Sequence, residues 1–294
     1  DIPRFHNQSV TVAQTLIEYV RRGQDRNWFE SAREEWAAVQ PCGAFDNQWS
    51  AQNAAALLTN GAAESAVLRR SYANLGKIIE VPLGCEVGSE GDADEFIRTY
   101  GVRDFVLCVG RIESRKNQLM LLKALEDEEI AVVFASGGFT YQPEYAQAVQ
   151  QFKRRGRTVV LDRLTPGMMA SAYRAARLHA LPSWYELPGL VSLEAAALGK
   201  SVVVGQGGTT RDYFGRLAWS CDAGDETSIL NAVTAAWYSP VRPALKVNAT
   251  QYTWSRTIDA TVAAMAKTAS GLIAQRGATL DCFVAREGQT LDVR

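Results

Sequence analysis

The chain has 294 residues, which is enough for one or two domains. Hydrophobic residues make up 47% of the sequence and charged residues 21%, a balance that predicts a globular protein with a sizeable core. The formal net charge of −1 gives no basis for a nucleic-acid partner, and no apolar run reaches the roughly 18 residues that a membrane span requires.

Cysteine and histidine usage excludes a recognisable zinc motif. The five cysteines form no Cys-x-x-Cys pair, and only two histidines, His6 and His179, occur. We therefore expect free, buried thiols in a reducing compartment and, without a recognisable secretory signal, a cytoplasmic location. Because the sequence begins at Asp1 rather than at a methionine, we expect it to start inside a longer gene product.

Helical patterns dominate the first 77 residues. We predict a short strand that ends at Ile2-Pro3, followed by helices over Val10–Arg22, Trp28–Val39 and Ser50–Ser71. The breaker Pro41-Cys42-Gly43 separates the second helix from the third.

From residue 78 onward, short apolar runs alternate with amphipathic stretches. The predicted strands are Ile78–Pro82, Phe105–Val109, Ala131–Ala135, Thr158–Leu161, Leu178–Leu181 and Ser201–Val204. The predicted helices between and after them are Asn117–Leu125, Glu144–Arg155, Pro166–Ala176, Leu190–Leu198 and Glu226–Ala236. This alternation predicts βαβ units and an α/β fold with a parallel sheet covered on both faces. Ligands of such sheets bind where strands end and loops lead into helices.

The loop after the second predicted strand is basic. It contains Gly110, Arg111, Arg115 and Lys116 ahead of a helix that starts near Asn117. Guanidinium groups form forked hydrogen bonds with phosphate oxygens, lysine adds a point charge, and a helix start offers free N–H groups. The loop is therefore a candidate phosphate site, with a solvated basic loop as the alternative. Its glycine spacing matches neither a Walker loop nor a GxGxxG fingerprint.

A second loop, Pro182–Gly189, leads into a helix with an acidic pair. Glu186 precedes the helix, which opens at Pro188-Gly189, and Glu194 falls about one turn into it. Carboxylates at these places can hold sugar hydroxyls through charge-assisted hydrogen bonds. The alternative is that Glu186 caps the helix and Glu194 is solvated, but a lone acid in an apolar helix requires a partner or a ligand.

A third loop after a predicted strand contains a run of glycines that includes Gly205, Gly207 and Gly208. Glycine allows a ligand to approach the backbone closely, and a simple tight turn is the alternative.

Together, the three loops resemble the motifs of glycosyltransferase family 4, whose members have the GT-B fold. Val109-Gly110-Arg111 with Lys116 is similar to the strand–GR–x4–K element of that family. The stretch from Pro182 to Glu194, with seven residues between its two glutamates, is similar to the paired-glutamate motif. Gly207-Gly208 followed by Asp212-Tyr213 resembles the glycine loop and acidic position that come next.

The resemblance also divides the chain into three parts. Leu57–Gly61 and Glu80–Cys85 are similar to the last acceptor-domain strand and the interdomain linker, and Trp254 is similar to the aromatic residue before the closing helix. We expect residues 1–80 to form a truncated acceptor-side domain, residues 81–250 a Rossmann-like donor-binding domain, and residues 251–294 a closing helix and tail. Alternation over Thr279–Val284 suggests a strand in that tail.

The resemblance implies a role for each matching residue. Arg111 and Lys116 would hold the nucleotide diphosphate and stabilise the charge of the leaving group. Glu186 would lie near the donor sugar, and Glu194 would bind the ribose. The remaining residues of the implied nucleotide-sugar site are Gly110, Pro188, Gly189, Leu190 and Gly208. No cofactor or metal is implied, and the substrate would be a donor such as a UDP- or GDP-sugar.

The chain departs from the family pattern in several places. Pro188 stands where an aromatic residue is common, and Asp212 stands where glutamate is frequent. Only about 80 residues precede the linker, so most of the acceptor domain is expected to be missing. The family places a histidine of that domain near the donor sugar. His6 is the candidate, with a polar residue near a chain end as the alternative, and we expect His179 to be a core histidine.

The leading hypothesis is a retaining, metal-independent enzyme that transfers a sugar from a nucleotide-sugar donor to a glycan, lipid-linked or protein acceptor. A lipid-linked acceptor would add peripheral contact with a membrane. The alternative is an isolated nucleotide-sugar-binding module that does not turn over, because its acceptor domain is incomplete. A regulatory pseudoenzyme fits the intact charged residues less well, and a nucleotide-sugar epimerase fits the spacing of the glutamates less well.

Overall fold

The computed structural model describes residues 2–34, 36, 48–86, 88 and 90–284, with residues 2–6 and 272–284 described as backbone only. Two helices come first, α1 (Ile2–Arg21) and α2 (Arg26–Arg33). The strand predicted to end at Ile2-Pro3 is wrong, because these residues begin α1. The buried side chains Val12, Leu16 and Tyr19 recur at helical spacing, which is typical of a helix with one face packed on a core.

The next elements are α3 (Gln48–Asn53), β1 (Ala56–Thr59), α4 (Ala62–Ser71) and β2 (Lys77–Glu80), and the two strands form a small sheet of their own. The strands β1 and β2 pair in parallel, with Ala56 opposite Lys77. The single helix predicted over Ser50–Ser71 is therefore wrong. Pairing with a strand about twenty residues later overrides the helical propensity of the local sequence, as strand formation depends on tertiary context.

Six parallel strands form the main sheet, in the order β5-β4-β3-β6-β7-β8. The elements in chain order are α5 (Ala93–Tyr100), β3 (Phe105–Val109), α6 (Gln118–Ala124), β4 (Ala131–Ala135), α7 (Pro143–Gln151), β5 (Thr158–Leu161), α8 (Pro166–Ala175), β6 (Leu178–Leu181), α9 (Leu190–Ala197), β7 (Ser201–Gly205), α10 (Thr210–Phe214), β8 (Trp219–Cys221), α11 (Glu226–Tyr238) and α12 (Pro243–Ala249). The predicted bounds of β3, β4, β5 and β6 are confirmed. The α/β prediction is confirmed as well.

Each face of this sheet carries its own hydrophobic core. Along β3, Val106 and Cys108 point into one core while Phe105, Leu107 and Val109 point into the other, as the two-residue period of a strand requires. Helices α6, α7 and α11 cover the first face and helices α5, α8, α9 and α12 cover the second. Both faces are therefore apolar, which explains why the strands are continuous apolar runs.

Helices α1 and α2 pack on the first of these faces. Val12, Leu16, Tyr19 and Phe29 belong to the same core as α6 and α7, and the Tyr19 hydroxyl donates to the Glu126 carboxylate at 2.8 Å. The first two helices are thus part of the body that surrounds the main sheet. The division of the chain at residue 80 stays a prediction.

The last helix, α13 (Trp254–Val284), begins at the aromatic residue that the resemblance singled out. Its Thr257 hydroxyl donates to the Pro82 carbonyl at 2.9 Å, which attaches the helix to the segment after β2. The strand suggested for Thr279–Val284 is wrong, because the backbone remains helical there. No helix in the described part of the chain is long and apolar enough to cross a membrane.

Three of the five cysteines have described side chains. Cys85, Cys108 and Cys221 are free and buried, as predicted. Burial raises the pKa of the Cys108 and Cys221 thiols to about 12, so both stay protonated and unreactive at neutral pH. The side chains of Cys42 and Cys282 lie outside the described residues.

Candidate functional site

The order of the main sheet reverses between β3 and β6. From β3 the chain proceeds outward to β4 and β5, and it then returns to β6, β7 and β8 on the other side. At such a reversal the loops after the two central strands diverge and leave a crevice at the carboxyl edge of the sheet. The loops after β3, β6 and β7 meet at this edge, and these are the three loops that the sequence singled out.

Asn117 connects the loops after β3, β6 and β8. Its buried side-chain amide donates to the Pro182 carbonyl at 3.1 Å and to the Ala223 carbonyl at 2.8 Å. The Trp184 amide donates in turn to the Arg115 carbonyl at 3.0 Å. The short 3₁₀ turn Ser114–Lys116 is therefore held against the loop after β6 by hydrogen bonds rather than by side-chain packing alone.

The glycines of the third loop allow it to lie against the second. Glu186 and Gly208 form a parallel bridge, in which the Glu186 amide donates to the Gly207 carbonyl at 3.2 Å. The Thr209 amide donates to the Glu186 carbonyl at 2.9 Å. A Cβ atom at Gly207 would collide with the Trp184 carbonyl oxygen, and one at Gly208 with that of Glu186. The absent side chains thus make room for the neighbouring loop and fix the backbone of Glu186.

Charged side chains from the first two loops form one network. The Lys116 ammonium lies 2.6 Å from the Glu186 carboxylate, and the Arg115 guanidinium donates to the same carboxylate oxygen at 3.1 Å. Arg115 also donates to Glu113 at 2.9 Å, and Arg111 lies 3.4 Å from the second oxygen of Glu113. Three cations therefore share two carboxylates. The cluster carries one excess positive charge at neutral pH.

Exposure differs sharply among the members of this cluster. The side chains of Lys116 and Glu186 are only 12% and 9% exposed, whereas Arg111 is 50% exposed. The Arg111 guanidinium reaches toward the Tyr141 ring, 6.0 Å from its centroid. A largely buried ion pair next to a half-exposed cation is an arrangement that can accept an anion such as phosphate, because the exposed guanidinium is accessible to it.

Glu194 lies apart from the cation cluster, on α9. Its carboxylate accepts a hydrogen bond from the Tyr173 hydroxyl of α8 at 2.6 Å. Burial raises the pKa of Glu194, and the Tyr173 hydrogen bond opposes that rise. Burial and the neighbouring carboxylate raise the pKa of Tyr173 well above its ordinary value, so the phenol remains a donor. The lone acid of the apolar helix does have a partner, as its position in the sequence required.

The remaining predicted residues lie around the same crevice. The Gly110 amide donates to the Ala135 carbonyl of β4 at 3.0 Å, so this N–H is engaged within the sheet. Gly189 is the N-cap of α9, which begins at Leu190, and the first amides of a helix have no intrahelical acceptor. Pro188 precedes this cap. The binding roles of these residues and of Gly208 stay predictions.

The two histidines lie in different elements, His179 in β6 and His6 in α1. His179 lies in β6 without solvent exposure, and burial lowers its pKa to about 3, so it is a neutral core residue as expected. His6 belongs to α1, and its side chain lies outside the described residues. Helix α1 contacts the turn that contains Lys116. A role for His6 near a donor sugar stays a prediction.

Asp212 and Tyr213 connect the main sheet to the small one. The Asp212 carboxylate accepts from the Ala63 amide in the first turn of α4 at 2.8 Å. The Tyr213 hydroxyl donates to the Asn60 carbonyl at 2.8 Å and accepts from the Leu83 amide at 2.7 Å. The acidic position that follows the glycine loop thus caps a helix of the amino-terminal segment.

Sequence reasoning does not give the contacts of three residues of the site. Arg115 was grouped with the other cations, yet it bridges Glu113 and Glu186. Tyr173 was counted only as part of a helix. Glu113 received no role, although an acid inside a basic loop was a signal that the cations are partly neutralised.

Residues 92–249 match the model of the family described as glycosyl transferases group 1. This stretch is more than half of the 294-residue chain. The chain belongs to this family. The resemblance to glycosyltransferase family 4 that the motifs indicated is thereby confirmed.

Curated relatives carry the name D-inositol 3-phosphate glycosyltransferase. The one from Actinosynnema mirum is 30% identical over 238 residues, which cover 71% of this chain and 56% of the relative. The one from Mycolicibacterium smegmatis is 26% identical over 200 residues, which cover 64% of this chain and 46% of the relative. The chain therefore spans about half the length of the curated relatives it matches.

Solved structures show the same fold. Sucrose-phosphate synthase from Thermosynechococcus elongatus has a TM-score of 0.62 at 16% identity, covering 88% of this chain and 66% of that one. Anabaena HepE, solved in complex with UDP and glucose, has a TM-score of 0.62 at 18% identity, covering 74% of this chain and 64% of that one. At identities this low, the similarity establishes the fold only. It confirms the prediction of a GT-B-like fold.

Proposed function

We propose that this chain contains the donor half of a retaining glycosyltransferase that transfers a sugar from a UDP- or GDP-sugar to a glycan, glycolipid or glycoprotein acceptor. One observation carries the proposal. The basic loop after β3 and the Glu186 loop after β6 meet at the crevice where the sheet order reverses, with Glu194 on the helix that follows. A nucleoside diphosphate has phosphates, which would bind the basic loop, and ribose hydroxyls, which would donate hydrogen bonds to a carboxylate.

The phosphate end would act electrostatically. An ammonium group has three donors, so Lys116 can keep its hydrogen bond to Glu186 and donate to a phosphate oxygen as well. Arg111 is half-exposed and can reorient to bind the diphosphate in a forked geometry. Charge develops on the leaving diphosphate as the glycosidic bond breaks, and prepositioned cations stabilise it most strongly where water is excluded.

The sugar and the nucleoside would lie on either side of this phosphate end. Glu186 is held by its bridge to Gly208, which places a carboxylate next to the first turn of α9 without a flexible backbone. Hydroxyls of the proposed donor sugar would donate hydrogen bonds to this carboxylate, which can only accept them. Glu194 is about one turn into the same helix, and we assign it to the ribose hydroxyls.

Calorimetric titration of the chain with UDP, GDP and ADP tests the proposal. We expect selective binding of one nucleotide and tighter binding of its sugar conjugates, because the donor sugar adds contacts at Glu186. The Lys116→Ala variant should lose affinity for nucleotide and for pyrophosphate, while Lys153→Ala, at an exposed lysine, should retain both. Absence of nucleotide binding by the unaltered chain would contradict the proposal.

The alternative function is an isolated nucleotide-sugar-binding module. Such a module would use the same loops, because binding of a nucleotide sugar at the crevice does not require an acceptor. Release of nucleoside diphosphate from the preferred donor distinguishes the two functions. Catalysed release in the presence of sugar acceptors supports an enzyme, and tight binding without release supports the module.

A further inference from the structure

The contact between Tyr173 and Glu194 joins two helices that cover the same face of the sheet. Tyr173 comes from α8 and is 1% exposed, and its hydroxyl donates to one Glu194 oxygen, Oε2, at 2.6 Å. The Tyr173 ring also lies beside the His179 ring, with centroids 6.1 Å apart, so the tyrosine is held in place by the core. A rigid donor therefore fixes one oxygen of a carboxylate near the crevice.

We propose that Tyr173 is a positioning residue that orients the Glu194 carboxylate for the two ribose hydroxyls of the donor nucleotide. The inference rests on the proposed function and names a residue that acts through Glu194 rather than on the substrate.

Carboxylate geometry supports this assignment. An ionised carboxylate has two acceptor oxygens with about four lone-pair sites in all, so a single bond from Tyr173 leaves acceptor positions for two hydroxyl donors. A glutamate side chain has three rotatable bonds, and fixing it before the ligand arrives avoids part of the entropy cost of binding. The phenol also supplies a hydrogen bond that offsets part of the desolvation of this half-buried carboxylate.

The same contact favours the charged form of Glu194. Burial raises the pKa of Glu194, and the Tyr173 hydrogen bond lowers it. The groups that face the carboxylate among the described residues are Tyr173 of α8 and Cys85 of the segment after β2, and the thiol pKa is itself raised to about 11 by burial and by Glu194. Without the phenol hydroxyl, the pKa of Glu194 should rise further, and ribose binding should fail at a higher pH.

The test compares Tyr173→Phe, Glu194→Gln and the double variant, with Tyr145→Phe as the matched control. Tyr145 is equally buried, but its hydroxyl accepts from the Leu119 amide and does not contact Glu194. Calorimetry would measure the affinity of each variant for the preferred nucleoside diphosphate and for pyrophosphate over a range of pH. Thermal unfolding of each variant would verify that the fold is retained.

We expect Tyr173→Phe to weaken nucleoside diphosphate binding by about 3- to 10-fold, the worth of one hydrogen bond, with pyrophosphate affinity unchanged. The double variant should bind no more weakly than Glu194→Gln alone, because the tyrosine acts through that carboxylate. The affinity of Tyr173→Phe should also decline at a higher pH than that of the unaltered chain. Tyr145→Phe should behave like the unaltered chain in every titration.

Three results would overturn the inference while the proposed function stands. These are unchanged nucleotide affinity in Tyr173→Phe, an equal loss of pyrophosphate affinity, and losses that add fully in the double variant. If the unaltered chain binds no nucleoside diphosphate, the proposed function and the inference fall together.

Discussion

The two ends of the candidate site compensate their charges in different ways. At the proposed phosphate end, Lys116, Arg115 and Arg111 share the carboxylates of Glu186 and Glu113, and the group retains one excess positive charge. At the proposed ribose end, Glu194 has a neutral partner, the Tyr173 hydroxyl, and no cation pairs with it among the described residues. One end is an ionic network and the other is a single charge held by a hydrogen bond.

The difference in charge compensation is consistent with the ligand that each end is proposed to bind. A dianionic phosphate requires excess positive charge, and a cluster with paired carboxylates supplies it without leaving isolated buried cations. A ribose is neutral, so its partner needs acceptor oxygens rather than opposite charge. An ion pair at Glu194 would occupy those oxygens, whereas a phenol occupies only one of them.

The largest effect is expected from a substitution that separates the loops after β6 and β7, on which the proposed phosphate end depends. A Cβ atom at Gly207 would collide with the Trp184 carbonyl, so Gly207→Ala should force the two loops apart. We expect a loss of about 3 kcal/mol in the free energy of unfolding, at the upper end for overpacking, measured by urea denaturation. Gly167→Ala is the control, because a Cβ atom there meets nothing within 4 Å. Equal stability of the two variants would contradict the close approach of the loops.

The next effect concerns the buried cation. Lys116→Ala removes a buried charge from the cluster and should weaken pyrophosphate and nucleoside diphosphate binding alike by about 2 to 3 kcal/mol, the range for a charged hydrogen bond. Calorimetry with both ligands measures it. A loss confined to the nucleoside diphosphate would place Lys116 at the ribose end and reverse the comparison.

Glu194→Gln tests the proposed ribose end of the site. The amide keeps the shape of the side chain but donates where the carboxylate accepts, so nucleoside diphosphate binding should weaken by about 1 to 2 kcal/mol. Pyrophosphate binding should not change, since pyrophosphate has no ribose. The control is Glu144→Gln, at a glutamate whose side chain is 71% exposed. Equal losses of affinity for the nucleoside diphosphate and for pyrophosphate would argue against separate phosphate and ribose ends.

Arg111→Ala should have a smaller effect than Lys116→Ala. Arg111 is half-exposed and lies 3.4 Å from Glu113, so solvent screens its charge. We expect a loss of about 1 kcal/mol in pyrophosphate affinity, measured by calorimetry and steeper at low salt. Arg103→Ala is the matched control, at an exposed arginine before β3. A larger loss than that of Lys116→Ala would show that the exposed cation dominates.

The smallest effect is pH dependence. Burial raises the pKa of Glu194, and ribose binding is proposed to need the ionised form. Affinity should therefore decline as pH falls through that raised pKa, at a higher pH than the ordinary value of about 4.3 for glutamate. The phosphates of the ligand titrate as well, so the ratio of affinities for the unaltered chain and Glu194→Gln isolates the glutamate. A ratio that is constant with pH would refute this prediction.

Much of the main sheet could be predicted from local patterns. Strands such as Phe105–Val109 are buried on both faces, so the apolar run itself marks the element. The predictions failed where pairing between distant segments decides the structure. Ala56–Thr59 becomes a strand because it pairs with Lys77–Glu80. The helical pattern over Ser50–Ser71 does not show this pairing, whereas the family resemblance of Leu57–Gly61 did predict a strand there.

The sequence predicted which loops form the candidate site and which of their charged residues belong to it. Residue type and spacing indicated Arg111, Lys116, Glu186 and Glu194, because parallel strands bring their carboxyl ends to one edge. The partners were not predictable. The hydrogen bond between Tyr173 and Glu194 joins α8 to α9, and its existence depends on how two helices pack.

By itself, the sequence determined the α/β class, the main strands and the three loops with their charges, since these depend on period, composition and motif spacing. Tertiary structure decided which charges neutralise each other. It also decided that Gly207 and Gly208 make room for a neighbouring loop, and that α1 and α2 pack on the main sheet. These outcomes depend on distances between segments far apart in the chain, and such distances exist only once the sheet has brought the segments together.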